Sequence, residues 1–208
     1  MTDAPRIQVA LVGRSLRDNE NLGLAYLRAA LEGAGHRVAV HAVNGSRDAV
    51  GAARRIADAA PALVGLSLSD GGSSFVPLAL GALLRERGYR GHITCGGQFA
   101  TLARGWLLER YDWLDSVVRF AGERPLVELA ARLADDRGAA GTPGLTDRGG
   151  DGAPAPVTDG LPERLHPVRG ELPALLGHRT AHILASRGCA GRCGYCGPAA
   201  LQTLERDE

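Results

Sequence analysis

The amino-acid sequence predicts a doubly wound α/β domain with a five-stranded parallel sheet, and three observations carry that prediction. From residue 7 to about residue 133, short apolar runs alternate with longer Ala/Leu/Arg segments of helical period. Each short run is bounded by Gly, Asp, Asn or Pro, as expected of strands covered on both faces. Aromatic residues are only 4% of the chain, so the core must be built from Ala, Leu and Val, which suits close packing of helices on a sheet.

The elements follow in order. A strand at 7–12 leads to a helix at 21–34, stopped by Gly35. A strand at 37–41 leads to a helix at 46–59, for which Ser46 can act as the cap. A strand at 62–68 precedes a helix at 74–87 that ends in Gly88, and a strand at 92–95 precedes a helix at 98–110. The fifth unit pairs a strand at 116–120 with a helix at 125–134. These residues, 1–135, make one domain. Beyond them the apolar period is lost: residues 136–173 hold eight glycines and six of the chain's 11 prolines. That composition predicts a linker over 136–178, partly disordered near 141–156. After Leu161-Pro162 and His166-Pro167, residues 179–208 begin a second unit with an apolar strand at 182–185.

Charge and hydropathy exclude several classes. With 24 basic and 23 acidic side chains and no basic runs, the chain lacks what a phosphate-neutralising nucleic-acid binder needs. No stretch of about 18 apolar residues is present, so no membrane span is expected. The polar start at residues 1–6 does not resemble a secretion signal, and a cytoplasmic location is expected.

Three of the four cysteines, Cys189, Cys193 and Cys196, fall at the spacing C-x3-C-x2-C on a Gly-rich loop directly after the predicted strand. Three thiolates on so short a loop can converge on one metal site. A closed zinc site wants four protein ligands, which would have to come from a histidine such as His178 or His182; Cys95 lies far upstream in the other unit. An iron–sulfur cube held by three cysteines leaves one iron open to a substrate or cofactor. Three unrelated thiols are the bland alternative.

This cysteine loop, with Tyr195 just before Cys196, resembles the signature of the radical S-adenosylmethionine (radical SAM) enzymes. The resemblance implies a [4Fe–4S] cluster on Cys189, Cys193 and Cys196, S-adenosylmethionine on the open iron, and Tyr195 near the adenine.

The first domain carries its own signals. In an open parallel sheet, ligands bind beyond the carboxyl ends of the strands, so the loops after the strands matter most. Those loops hold Gly13 to Gly23, then Ser67, Ser69, Asp70 and Gly71, then Gly96, Gly97 and Gln98. No G-x-G-x-x-G follows the first strand, which argues against a nicotinamide site. Upstream of the cysteine loop, this domain is similar to the Rossmann-like cobalamin-binding domain of cobalamin-dependent radical SAM enzymes. The similar stretches are residues 20–27, 66–75, 92–101 and Gly122-Glu123. It implies cobalamin contacts from Ser67, Ser69, Asp70, Gly96, Gly97 and Gln98. Cobalamin domains that ligate cobalt use D-x-H-x-x-G; here Asp18-x-Glu20-x-x-Gly23 has Glu in place of His. The cofactor is therefore expected base-off, without a protein His ligand, and His36 and His41 are expected to be strand-end residues.

The implied activity is radical methylation, or a related rearrangement, of an unactivated carbon or phosphorus in a small-molecule or peptide substrate. The radical SAM core is a partial barrel of roughly 200 residues, of which 179–208 would supply only the first strand and loop. The chain is therefore expected to be a fragment or half enzyme, with a second chain as a candidate partner. A non-catalytic corrinoid-binding module with a vestigial cysteine tail is the alternative.

Overall fold

The computed structural model describes residues 6–14, 20–155, 165–185, 187–189, 191 and 193–207. In chain order its elements are β1 (Gln8–Gly13), α1 (Leu22–Gly33), β2 (Arg37–Ala42), α2 (Ser46–Ala59), β3 (Leu63–Ser67), α3 (Phe75–Glu86), β4 (His92–Gly96), α4 (Gln98–Leu102), α5 (Arg104–Arg110), β5 (Ser116–Val118), α6 (Glu123–Ala134), β6 (Leu145–Asp147), β7 (Gly150–Asp151), β8 (Ala174–Leu175), β9 (His178–Arg179) and α7 (Gly197–Asp207). None of these helices is long and apolar enough to cross a membrane, among the described residues.

The main sheet runs in the order β2-β1-β3-β4-β5-β6-β7. The first five strands are parallel, as the sequence predicts, while β6 and β7 join antiparallel. Strand order reverses between β1 and β3, so the loops leaving these two strands diverge and open a crevice at the carboxyl edge.

Alternate residues of each strand point to opposite faces, and the two faces are built differently. One receives Ala10, Val12, Val64, Leu66, Ile93, Cys95 and Val117, packed against Ala49, Ala52, Ala53 and Ile56 of α2, Leu78, Leu80 and Leu84 of α3, and Leu107 of α5. The other receives Val9, Leu11, Leu63 and Val118, packed against Leu24 and Leu31 of α1 and Leu126, Leu129 and Ala130 of α6. By the same alternation, Gly65, Ser67, Thr94 and Gly96 belong to this second face.

The helix ends follow local chemistry. Asn21 caps α1 by accepting from the Leu24 N–H at 3.1 Å, and Gly35 and Gly88 take positive φ just after α1 and α3. At α2 the cap is Gly45, with Ser46 already helical, and the Asp48 carboxylate accepts from the Asn44 N–H.

Besides the α2 cap, three features differ from the sequence reading. The helix expected over 98–110 breaks at Ala103 into α4 and α5. Thr101 donates back to the Gly97 carbonyl and accepts from the Phe120 N–H, drawing the helix toward β5. The linker expected over 136–178 contains a hairpin, β6–β7, added to the sheet edge. Its two-residue turn is set by Asp147, whose carboxylate accepts from the Gly149 N–H at 2.7 Å. The buried Arg119 side chain clamps it by donating to the Gly152 carbonyl at 2.7 Å, beside Asp151 at 3.7 Å. Arg104 and Thr146 also bond the Asp151 carboxylate and hold its pKa down to about 2. Finally, residues 182–185 are not a strand: among the described residues no strand pairs with them, and a strand exists only through its ladder. Part of the expected disordered stretch, 141–155, is ordered by the hairpin; Pro156 and the Leu161-Pro162 step lie outside the described residues.

Candidate functional site

A cleft of about 470 Å³ opens at the carboxyl edge of the sheet, between the second face and the helix pair α1–α6. Its origin is legible residue by residue. Leucines from the sheet and helices fill most of this face, but where β3 and β4 approach their carboxyl ends they present only Gly65, Ser67, Thr94 and Gly96. The missing side chains leave a slot between sheet and helices. Leu11, Leu24, Leu27, Val118 and Leu126 make its walls apolar, and Asn21, Ser67, Ser69 and Gln98 add polar groups.

Gly97 shapes the rim. Its φ of +111° and the Leu68 carbonyl oxygen, 2.6 Å from where a Cβ would sit, admit no side chain, so bare backbone faces the opening. The Thr94 wall is closed chemically: Thr94 donates to the Ser116 carbonyl at 3.1 Å and Ser116 donates to Thr94 Oγ1 at 2.9 Å. His92 Nε2 meets Ser116 Oγ at 2.7 Å and must therefore be the donor there. Burial lowers the His92 pKa, which keeps the ring neutral in that role.

Of the residues the sequence singled out, Ser67, Ser69, Gly96, Gly97 and Gln98 line the cleft together. Asp70 does not. Its carboxylate accepts from the backbone N–H and hydroxyl of Ser73, bonds that hold its pKa low, and it shapes the turn into α3. His36 and His41 sit at the two ends of β2 and take no part in the cleft wall. Asp18 lies outside the described residues. Glu20, at the position where a cobalt-ligating domain has His, is held instead by two distant groups: Arg169 Nε at 2.9 Å and the His182 N–H at 2.6 Å.

Sequence reasoning missed the contribution of the segment after residue 165. It bonds to α1 through the Val168 N–H and the Ala25 carbonyl, reaches Glu20 through Arg169 and His182, and supplies Leu184 and Arg187 to the cleft wall. Arg187 pairs with Glu123 at the start of α6 and lies 5.5 Å above the Tyr26 ring of α1.

The cysteine loop follows at once. Cys189 and Cys193 are exposed and Cys196 is half-buried, whereas Cys95 is fully buried with its thiol pKa pushed up by desolvation. A Cβ on Gly191 would stand 3.3 Å from Cys189 Sγ and 3.8 Å from Cys193 Sγ, so two of the three thiols converge on this glycine. Among the described residues, no three His, Cys, Asp or Glu side chains are gathered closely enough to hold a metal. Tyr195 is 93% exposed. Helix α7 packs beside α4, and its Gln202 amide, in the orientation that satisfies both partners, bonds the Cys189 N–H and carbonyl. The loop therefore sits next to the Gln98 side of the cleft.

The B12 binding domain model matches residues 8–130, more than half of the chain. This chain belongs to the B12-binding domain family. The match spans β1 to most of α6, the elements that build the cleft. Two solved structures share the fold of this B12-binding domain protein. One is the radical S-adenosylmethionine methyltransferase TsrM from Kitasatospora setae, with tryptophan substrate and a SAM analogue bound, at a TM-score of 0.61 and 24% identity. The other is the cobalamin-dependent S-adenosylmethionine radical enzyme OxsB, with aqua-cobalamin and S-adenosylmethionine bound, at 0.59 and 21%. Each covers over two thirds of this chain, 72% and 73%, but the chain covers only 30% and 23% of them. No curated protein matches the chain in sequence.

The cleft's chemistry fits the tail of cobalamin, a flat aromatic base joined through a sugar phosphate to the corrin. The slot is apolar where a base would lie and polar at the rim, and its volume falls in the range of roughly 300–1,000 Å³ usual for cofactor pockets. The bare backbone at Gly96 and Gly97 is a platform on which a large ring can rest.

Proposed function

We propose that this chain binds cobalamin, with the nucleotide tail in the α1–α6 slot and the corrin over the carboxyl edge of β3 and β4. The observation that supports this most is the slot itself, left by Gly65, Ser67, Thr94 and Gly96 within a B12-binding domain. The base-off form is favoured because no histidine is among the described residues lining the cleft and Glu20 is engaged by Arg169 and the His182 backbone. Gln98 and Ser69, which line the cleft, would bond the rim of the corrin, and Leu11, Leu24 and Leu126 would exclude water from the base.

The second part of the reading is that Cys189, Cys193 and Cys196 hold a [4Fe–4S] cluster that binds S-adenosylmethionine. The spacing of the thiols and the position of the loop beside the cleft support it. When bound, cobalamin would supply a methyl carrier and the cluster with S-adenosylmethionine a carbon-centred radical. In that setting this chain would present both groups on one edge, for radical methylation or a related rearrangement of a small-molecule or peptide substrate. Residues 1–155, with the β6–β7 hairpin completing the sheet, would form the cobalamin domain, and 179–208 the start of a radical SAM core. Further barrel strands, in this or another chain, would complete the substrate site, and an oxygen-sensitive cluster suits a cytoplasmic location.

Equilibrium dialysis with cyanocobalamin tests the first part: the corrin should be retained at about one per chain. After reduction to cobalt(II), the paramagnetic resonance spectrum should lack nitrogen superhyperfine splitting. A split spectrum would exclude the base-off form, and no retention would exclude the site. Anaerobic reconstitution tests the second part, with iron and sulfide incorporated in equal amounts and lost in Cys193→Ala.

A further inference from the structure

The segment that carries the cysteine loop crosses the mouth of the cleft before it reaches Cys189. One end is tied to α1 by the Val168 N–H and to Glu20 by Arg169, and the middle is tied to the same Glu20 by the His182 N–H. The far end is tied to α6 by Arg187 and Glu123. Between these anchors Leu184 and the Arg187 side chain enter the cleft wall. Glu123 is 13% exposed and Arg187 38%, and the guanidinium stacks on Tyr26, a buried residue of α1. The two helices that enclose the slot are thus bridged by one side chain from the segment that follows.

We propose that Arg187 is a positioning residue that couples occupancy of the cleft to the placement of the cysteine loop. The coupling rests on the reading of the cleft as the cobalamin site, and its origin is steric and electrostatic. Arg187 stands between Tyr26 and Glu123, within the wall that an entering nucleotide tail must pass. The arginine side of this ion pair is open to solvent, which screens and weakens the restraint, and a tightly held ligand displaces it. Cys189 lies two residues further on, at most about 7 Å of chain, so a shift of several Å at Arg187 cannot be absorbed before the first thiol. Arg169, His182 and Glu20 hold the upstream part in place, which directs the movement downstream, into the loop. Loading the cleft therefore releases the cysteine loop from α6.

The test uses the full chain without iron, under anaerobic conditions, with iodoacetamide as the thiol probe and peptide mapping to follow each cysteine. Buried Cys95 is the unreactive reference. At saturating cyanocobalamin, with occupancy read from the retained corrin absorbance, the half-buried Cys196 should alkylate at least threefold faster than in the free chain, with already exposed Cys189 and Cys193 as fast-reacting references. In Arg187→Ala the free chain should already alkylate at the faster rate and the ligand should leave it unchanged. Glu123→Gln, which keeps the arginine but weakens its anchor, should behave in the same direction, and Arg187→Lys should restore part of the response. An unchanged or slower rate in the occupied wild-type chain, or a full response in occupied Arg187→Ala, would overturn the coupling and leave cobalamin binding intact. Failure of the wild-type chain to retain cyanocobalamin would overturn the reading of the cleft, and the coupling with it.

Discussion

On the face covered by α2, α3 and α5, the strands contribute Val12, Val64, Leu66, Ile93 and Val117, and the helices answer with Ala and Leu until no space is left. On the face covered by α1 and α6 the same strands contribute Leu11 and Leu63, then Gly65, Ser67, Thr94 and Gly96, and a cleft opens. Both faces are encoded by interleaved residues of the same short peptides. A substitution one position along a strand therefore moves from a site that sets stability to one that sets binding.

The largest expected effect lies on the closed face. Leu80 is completely buried, and Leu80→Ala should cost about 2–5 kcal/mol in urea unfolding, because the close-packed surroundings cannot collapse into the void. On the open face, Gly65→Leu should leave the protein folded and fill the slot. Its Cβ would stand 3.1 Å from the movable end of Leu11. Cyanocobalamin affinity should fall at least 100-fold, about 2.8 kcal/mol; undiminished affinity would place the ligand elsewhere. Thr94→Val tests the polar seam on the open face. It removes the acceptor of the Ser116 hydroxyl and should cost about 1–2 kcal/mol in thermal unfolding.

The smallest effect belongs to the hairpin beyond both faces. Asp151 is 41% exposed, so screening limits its ion pairs with Arg104 and Arg119, and Asp151→Asn should cost under about 1 kcal/mol at pH 7. The folded carboxyl sits at about 2 against an ordinary 3.8, so its stabilisation is complete above about pH 5 and is lost progressively as the pH falls through 2. Denaturation curves of wild type and variant should converge over that interval.

The five strand–helix units were legible because apolar period and Gly stops agree at every step. The β6–β7 hairpin was not: strands of three and two residues are too short to show alternation, and a Gly-rich stretch reads as linker until Arg119 and Asp151 are seen together. The break at Ala103 depends on a Thr101 bond to Phe120, across the helix-to-strand turn. At the site, Ser67, Gly96, Gly97 and Gln98 could be found from their place after strands. Asp70 misled because a carboxylate in a Ser/Gly turn has partners within three residues. Arg187 could not be found at all, since its partner Glu123 is 64 residues away. The sharper signal was already present in the strands: x-Gly-x-Ser in β3 and Thr-x-Gly in β4 announce an empty face.

The hairpin has a practical consequence for anyone shortening the chain. β5 is only three residues long, all buried, and its outer edge is occupied by β6. Ending the polypeptide at Asp135, where the helical period stops, would strip that cover and present Val117 and Val118 as an open, apolar strand edge, a template for other molecules to pair with. With the hairpin kept, the sheet ends instead at β7, two exposed residues that include a charged Asp151 and offer little to recruit a neighbour. A solubility comparison of chains ending at 135 and at 155 should show aggregation in the shorter one, even though it holds every residue of the B12-binding match.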